Sequence, residues 1–484
     1  MFDWLRQFGT KRRAKQTARQ VARFIRARFD AAVTNSENAR HWANADGLSA
    51  DAAASANIRR ILRNRSRYEV ANNSYAKGIV LTLANDCVGT GPRLQLLTED
   101  AEINRTVEAA FSQWCQATGL ASKLRTLRMA KATDGEAFAM LTANPRLDAA
   151  VKLDVQLVEA DRVSTPLLLK GNTNEVDGIA FDPFGNPIAY TILRQHPGAR
   201  TLWSPVGSYD RVPAESVIHW YRPDRPGQHR GIPEITPALP LFAQLRRYTL
   251  AVLGAAETAA DFAAVLFTDA PATGEAAAVE PMDVVELEKR MATVLPDGWK
   301  LGQIKAEQPG TTYSEFKREI LNEIARCLNL PFNVAAGNSS GYNYASGRLD
   351  HQVYFKSIRI EQAHLDEVVC DRILGAWLAE AVLLNDFAFL RGMGGLPHQW
   401  FWDGQEHVDP AKEASAQEKR LKNHTTTLAD EYAKQGKDWE VQLRQRAKEK
   451  QLMEELGLSA AEVAPQAQRE DEKDVEDAER RQAA

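Results

Sequence analysis

The chain is short of the features that mark whole classes of protein. Its 484 residues include only four cysteines. Cys87, Cys115, Cys327 and Cys370 lie far apart, so they spell neither a zinc pattern nor a compact disulfide framework, which fits a reducing compartment. No run approaches the ~18–20 apolar residues of a transmembrane helix, and the N-terminus has no signal-peptide apolar core. H-E-x-x-H, EF-hand and P-loop patterns are absent, so the residues offer no dedicated metal site, no cofactor site and no ATPase. A large net charge is missing too. At −4, the chain must meet any nucleic acid through local charge rather than a bulk field. What remains is ordinary for a soluble globular chain, with 44% hydrophobic and 26% charged residues. The length suits two or three domain-sized units.

Local patterns divide the chain. Residues 1–30 hold nine Lys/Arg and two Asp/Glu, and Val21, Phe24, Ile25 and Phe29 predict a basic amphipathic helix over 17–29. Residues 31–60, rich in Ala, Asn and Ser, read as a loose connection. Helical periodicity from Arg63 to Leu83 is stopped by Val88-Gly89-Thr90-Gly91-Pro92, and a second helix is expected over 101–117. From 150 to 222 the period changes to two. Val151, Leu153, Val155 and Leu157 alternate, Ile179–Ile192 reads as a hairpin around Asp182–Pro187, and Val217–Tyr221 is another strand. The fold class is therefore α+β.

Helices dominate the rest. One spans 238–264, a Pro/Gly/Ala-rich interruption follows at 270–281, a short helix is expected at 283–293, and a turn at 296–298. Thr312-x-x-Glu315 reads as a capping box for a helix ending near Leu328. After the polar loop 336–344, one helix of about forty residues, 345–384, carries a buried stripe of Leu349, Val353, Ile358, Leu365, Val369, Ile373, Trp377 and Ala381. Residues 410–458 are helical and charged. The segment 464–484, with four Lys/Arg and seven Asp/Glu, is expected to be disordered.

Candidate chemistry is sparse. Gly337-Asn338-Ser339-Ser340-Gly341 matches the G-x-S-x-G nucleophile elbow, which makes a serine hydrolase using Ser339 the alternative reading. An elbow needs a strand before the serine and a helix starting at it. Pro331 is a poor central-strand residue, and His351 and His364 fall inside the long helix. Val88–Pro92 resembles a phosphate loop only superficially. The segment from Arg222 to Gly231 concentrates Arg222, Asp224, Arg225, His229 and Arg230, residues able to hold a phosphate, a partner carboxylate or an acid of a neighbouring subunit. Trp400-Phe401-Trp402 suggests a stacking platform, yet three adjacent aromatics cannot share one strand face. These features point to an architectural protein rather than a catalyst.

Several stretches, taken in order, resemble the signatures of the lambda-type portal proteins of tailed bacteriophages. They are Arg67–Gly78 leading into Val88-Gly89-Thr90-Gly91, Leu157–Arg162, Gly178–Asp182, His219–Pro233, Leu330-Pro331-Phe332, Ser340–Ser346, and Trp402 with Val408–Ala414. The resemblance covers about 60–455. It implies a non-enzymatic ring of twelve copies at one capsid vertex, around a channel for double-stranded DNA; another capsid component, a scaffold or head-completion protein, stands beside the serine hydrolase as an alternative. A basic N-terminal arm (1–59) would precede the wing (60–232, returning at 385–408). The stem would be 233–264 and 312–335, the clip 265–311, the tunnel loop 336–344, the spine helix 345–384, the crown 409–458 and a charged tail 459–484. The implied DNA-facing residues are Asn338, Ser339, Ser340, Tyr342, Asn343, Tyr344 and Arg348. The implied subunit-interface residues are Arg222, Asp224, Arg225, His229 and Arg230. The resemblance implies terminase, the major capsid protein and head–tail connector or tail proteins as partners, with no membrane. It places the protein in the virion and, during assembly, in the host bacterial cytoplasm.

Overall fold

The computed structural model describes residues 36–166, 174–199, 208–261, 265–268, 299–302, 311–393, 395–404 and 410–458. The expected helices at 17–29 and 283–293, the turn at 296–298 and the tail 459–484 lie outside the described residues.

The chain is helical earlier than expected. Within the stretch read as a loose connection lies a one-turn helix, α1 (Ala50–Ala53), capped by Ser49, and α2 (Ala56–Asn72) also begins there. The single helix expected over 63–83 is two, because Asn73 is extended (φ −121°, ψ 116°). Its side-chain oxygen accepts from the Tyr75 N–H at 3.1 Å and caps α3 (Ser74–Val88). The stop after α3 forms as expected at Gly89, whose φ is 54°. Strand β1 (Arg93–Leu96) and helix α4 (Ala101–Thr118) follow. Val107, Phe111 and Trp114 of α4 are buried at the expected helical spacing.

Helix α5 (Leu120–Asp134) and strand β2 (Glu136–Ala143) were not expected from the sequence. Gly135 joins them at φ 90°, and a Cβ there would sit 2.3 Å from the backbone of Ile232, so only glycine fits. β2 is the centre of an antiparallel sheet, between β3 (Leu153–Val158) and β8 (Val217–Tyr221). A second antiparallel sheet runs β4 (Glu175–Val176), β5 (Ile179–Phe181), β6 (Pro187–Leu193), β7 (Tyr209–Pro213), with the expected β5–β6 hairpin and a bulge between Ala180 and Phe181.

Helix α6 (Leu239–Asp261) leads into the short antiparallel pair β9 (Val265–Thr268) and β10 (Trp299–Gly302), a pairing that the sequence reading lacked. Helix α7 (Thr311–Cys327) places Thr312 inside its first turn, so Thr312 is not the cap that the sequence suggested. The one-turn helix α8 (Phe332–Ala336) precedes α9 (Tyr344–Leu365). The expected forty-residue helix is α9, a π turn over Asp366–Cys370, and α10 (Asp371–Ala381). Strand β11 (His398–Phe401) returns to pair with β1. Helices α11 (Pro410–Lys422), α12 (Leu428–Lys434) and α13 (Trp439–Glu455) complete the described chain. No helix among the described residues is long and apolar enough to cross a membrane.

Two cores divide the long helix between them. Trp220, Leu365, Ile373 and Trp377 belong to one, with α4, α5 and the three-stranded sheet. Tyr354 and Ile358 belong to another, with Ile79, Phe242 and Ile324 from α3, α6 and α7. The end of α9 and all of α10 therefore lie against the β-rich half, and the start of α9 lies against the helical half.

Candidate functional site

The loop Gly337–Asn343 joins α8 to α9 and holds no charged side chain. Gly337 ends α8 in the left-handed region, with φ 62°. Asn338 then folds the loop on itself, its Oδ1 accepting from the Ser340 N–H at 2.9 Å and the Ser340 hydroxyl at 2.6 Å. Tyr342 turns back onto the helix that follows. Its hydroxyl donates to Asp350 Oδ2 at 2.5 Å. Its ring lies over Gly347, where an added Cβ would stand 2.8 Å from ring carbons. Burial, with the Asp350 carboxylate beside it, raises the Tyr342 phenol to about 12. Asn338, Ser339, Ser340 and Asn343 are exposed at the tip, whereas Tyr342 is an anchor at its base. Tyr344 and Arg348 fall in the first turns of α9 rather than in the loop.

The nucleophile elbow is not formed. A helix, α8, precedes Ser339 where the elbow needs a strand, and α9 starts five residues after it. The Asn333 amide donates to Ser339 Oγ at 3.4 Å, and the same nitrogen lies 3.1 Å from His351 Nε2. An amide, not an imidazole, is therefore the group next to this hydroxyl. Thr90 in the Val88–Pro92 turn likewise binds a carboxylate of its own chain, through its N–H (2.5 Å) and hydroxyl (2.7 Å) to Asp403. Phe401 and Trp402 are buried, and the Trp402 indole donates to Asp366 at 3.1 Å, so that aromatic run is largely core.

Helix α9 has two unlike faces. On one, Tyr354 donates to Asp86 at 2.6 Å and Gln362 to the Cys87 carbonyl at 3.0 Å, and Glu361 pairs with buried Lys131 of α5. Lys131 also lies 4.7 Å above the Trp220 ring and 3.5 Å from Glu234, which Arg128 holds at 2.9 Å. On the other face, Leu349, Val353 and Ile360 are 64%, 58% and 64% exposed. Leu349 and Val353 were expected in the buried stripe. Ile358, Leu365, Val369, Ile373, Trp377 and Ala381 do occupy it. The stripe drifts because 3.6 residues per turn do not hold a mixed i+4, i+5, i+7 series on one line.

The Arg222–Arg230 segment is corrected in part. Arg230 was expected at a subunit interface, yet it is 1% exposed inside its own chain. Its guanidinium grips Glu136 through Nε (2.8 Å) and Nη2 (2.7 Å) and donates to the Val163 carbonyl at 3.1 Å, with Asp177 Oδ2 at 3.2 Å. Glu136 is itself fully buried, and it also meets Arg63 (3.2 Å), His219 (3.1 Å) and the Gly231 N–H (3.1 Å). Burial alone would raise the Glu136 carboxyl. Arg230, joined by His219, holds it well below its ordinary value. His229 is taken up by Asp51 of α1, at 2.7 Å through Nδ1 and 3.0 Å through its N–H. Arg222, Asp224 and Arg225 stay exposed. The first two pair at 3.0 Å, and Arg225 donates to the Leu48 carbonyl at 3.0 Å. The hub at Glu136 was missed by sequence reasoning. An acid heading an otherwise apolar strand, Glu136-Ala-Phe-Ala-Met-Leu, was the available signal.

The geometry is that of a framework with an exposed polar loop, and the comparisons agree in kind. Residues 35–362 match the family described as phage portal protein, lambda family, and the chain belongs to that family. The probable portal protein of Halomonas phage phiHAP-1 is 25% identical over 433 residues, covering 82% of this chain and 81% of that protein. A chain from the virion of a native gene transfer agent particle aligns at 11% identity and TM-score 0.47, covering 78% of this chain and 93% of its own. A chain from the neck of that type of particle, computed with C12 symmetry, aligns at 12% identity and TM-score 0.47, covering 78% and 94%. The family is structural rather than enzymatic.

Proposed function

We propose that twelve copies of this chain form a ring at one capsid vertex and conduct double-stranded DNA inward during packaging and outward at infection. The observation that carries this reading is the uncharged, exposed loop Gly337–Asn343, held at the head of α9 in a portal-family chain. No single chain of this size closes around a duplex, so a repeated head-to-tail contact is required. DNA that must slide is poorly served by fixed cationic clamps, because each neutralised phosphate releases counterions and adds affinity. Asn338, Ser339, Ser340 and Asn343 offer hydrogen bonds without charge, and their contact with DNA is independent of sequence. Tyr342 sets the posture of the loop through Asp350 instead of touching DNA.

In this reading residues 60–232 and 385–408 form the wing, α6 and α7 the stem, 265–311 the clip, 345–384 the spine and 409–458 the crown. The clip docks terminase, which supplies the ATPase. The wing meets the major capsid protein, and head–tail connector or tail proteins close the channel. The ring assembles in the bacterial cytoplasm and resides in the virion. Arg222, Asp224 and Arg225 remain on the surface as contacts for a neighbour.

Deleting 338–343 tests the loop. Native mass spectrometry should find the deleted chain in rings near the mass of the full-length assembly, about 650 kDa for twelve copies of 53.8 kDa. Particles built with it should fail to package or retain a genome. Full genomes retained behind rings of the deleted chain would sink the proposal.

A further inference from the structure

The outer faces of α7 and α9 carry charges that have no ion-pair partner among the described residues. On α7, Glu315, Glu319 and Glu323 recur every fourth residue and are exposed, beside Phe316, which is 50% exposed and rests on the Tyr248 ring at 4.8 Å. The exposed Arg318 and Arg326 of the same helix are engaged locally, Arg318 over the Phe332 ring at 5.4 Å and Arg326 donating to Asn329 at 3.2 Å. On α9, Arg348, Lys356 and Arg359 are exposed beside Leu349, Val353 and Ile360. Among the described residues, none of these six charged side chains makes an ion pair. A groove of about 450 Å³ runs between the helices, lined by Glu319 and Arg318 on one side and Asp350 and Val353 on the other.

We infer that the acidic, apolar face of α7 in one copy docks on the basic, apolar face of α9 in the next copy. The inference rests on the ring reading above and names the contact that would build it. The two faces match in sign. The acidic stripe, Glu315 to Glu323, runs about 12 Å along its helix, and the basic stripe, Arg348 to Arg359, about 16 Å, so the first fits within the second. Phe316 supplies an apolar ridge opposite Leu349, Val353 and Ile360, whose exposure a single chain leaves unexplained. Because the stripes lie on different helices, the contact is heterologous. Each copy offers one α7 face and one α9 face, and the series ends only by closing into a ring. The outer face of α2 is a poorer partner for α9. Ile58, Ile61 and Tyr68 are exposed there, but the charges beside them, Arg60 and Arg65, have the same sign as those of α9.

A charge exchange tests this pairing with the full chain. Glu315→Lys, Glu319→Lys and Glu323→Lys together, or Arg348→Glu, Lys356→Glu and Arg359→Glu together, should each lower the fraction of chain in rings at least about tenfold by native mass. Combining all six should restore it. Melting curves matching wild type show that each variant folds, as expected for exposed positions. Wild-type rings with either reversed set equally ring-forming would overturn the pairing and leave the ring reading intact. So would folded six-fold variants that stay unassembled, or an α9 reversal that spares rings and loses only DNA binding. A wild-type chain that never forms rings, even with capsid protein supplied, would remove the ring reading itself.

Discussion

The charges around Glu136 and those on α7 and α9 make an instructive pair. Around Glu136, Arg63, His219 and Arg230 gather inside one chain, and every one is within hydrogen-bond reach of the carboxylate. Arg59 and Arg67 extend the set to Asp177, Asp134 and Asp161, so α2 is fastened along three successive turns to both sheets. On the outer faces of α7 and α9, Glu315, Glu319, Glu323, Arg348, Lys356 and Arg359 make no ion pair among the described residues. A buried ion must be paired within the fold, because the loss of its water costs several kcal/mol. An exposed ion bears no such cost and is free to serve assembly. Charge density by itself therefore separates nothing, whereas burial together with pairing does. That is why the Arg222–Arg230 segment, which reads as one cluster in the sequence, divides into a buried end, where Arg230 holds Glu136, and an exposed end at Arg222, Asp224 and Arg225.

The sharpest way to break this contrast is Arg230→Ala. It leaves Glu136 ionised in a dry site and should cost about 3–5 kcal/mol, read as a large fall in the denaturant midpoint. Arg222→Ala, eight residues earlier and exposed, should cost less than about 1 kcal/mol. Equal losses would mean that the two halves of the segment are not different in kind.

A second contrast sets a buried acid with cations against one without. Burial raises the Asp366 carboxyl to about 7, opposed first by the Trp402 indole hydrogen bond and then by His398, while Asp371 adds to the rise. Folded Asp366 thus keeps a proton that the unfolded chain has released above pH 4 or so. Its contribution to stability falls as pH rises from about 4 to about 7 and is level beyond. Asp366→Asn should therefore melt with wild type near pH 4 and increasingly above it towards pH 7.5. Glu136 has the opposite sign. Its folded value is depressed, so its stabilisation is present above the ordinary glutamate value and is lost as pH falls below it. A difference between D366N and wild type that is constant across pH would refute the assignment. A local effect belongs to Tyr342→Phe, which removes the bond to Asp350, a loss of about 0.5–1.5 kcal/mol confined to the closing of the loop. Backbone amides of 338–343 should exchange hydrogen faster, with global stability almost unchanged. Unaltered exchange would show that Gly347 alone seats the ring.

Periodic elements were legible in the sequence, since helix α4, the β5–β6 hairpin and β8 each repeat an apolar pattern over their whole length. The polar loop at 337–343 was legible too, from two glycines and a run of uncharged side chains. Helix α5 and strand β2 were not. The buried face of α5 includes Arg128 and Lys131, and β2 opens on Glu136, so polar residues stand where the pattern expects apolar ones. Only partners distant in sequence, Glu234, Glu361 and Arg230, make those positions tolerable.

The sequence by itself determined the α+β class, the family, the loop and its lack of charge, because composition, period and ordered motifs are properties of neighbouring residues. Tertiary structure alone decided which arginines are buried, that Ser339 faces an amide rather than an imidazole, that Tyr342 folds back on Gly347, and which face of α9 is left open. Each of these depends on groups brought together from far apart in the chain, and the low dielectric between them decides whether a charge holds the fold or waits for a neighbour.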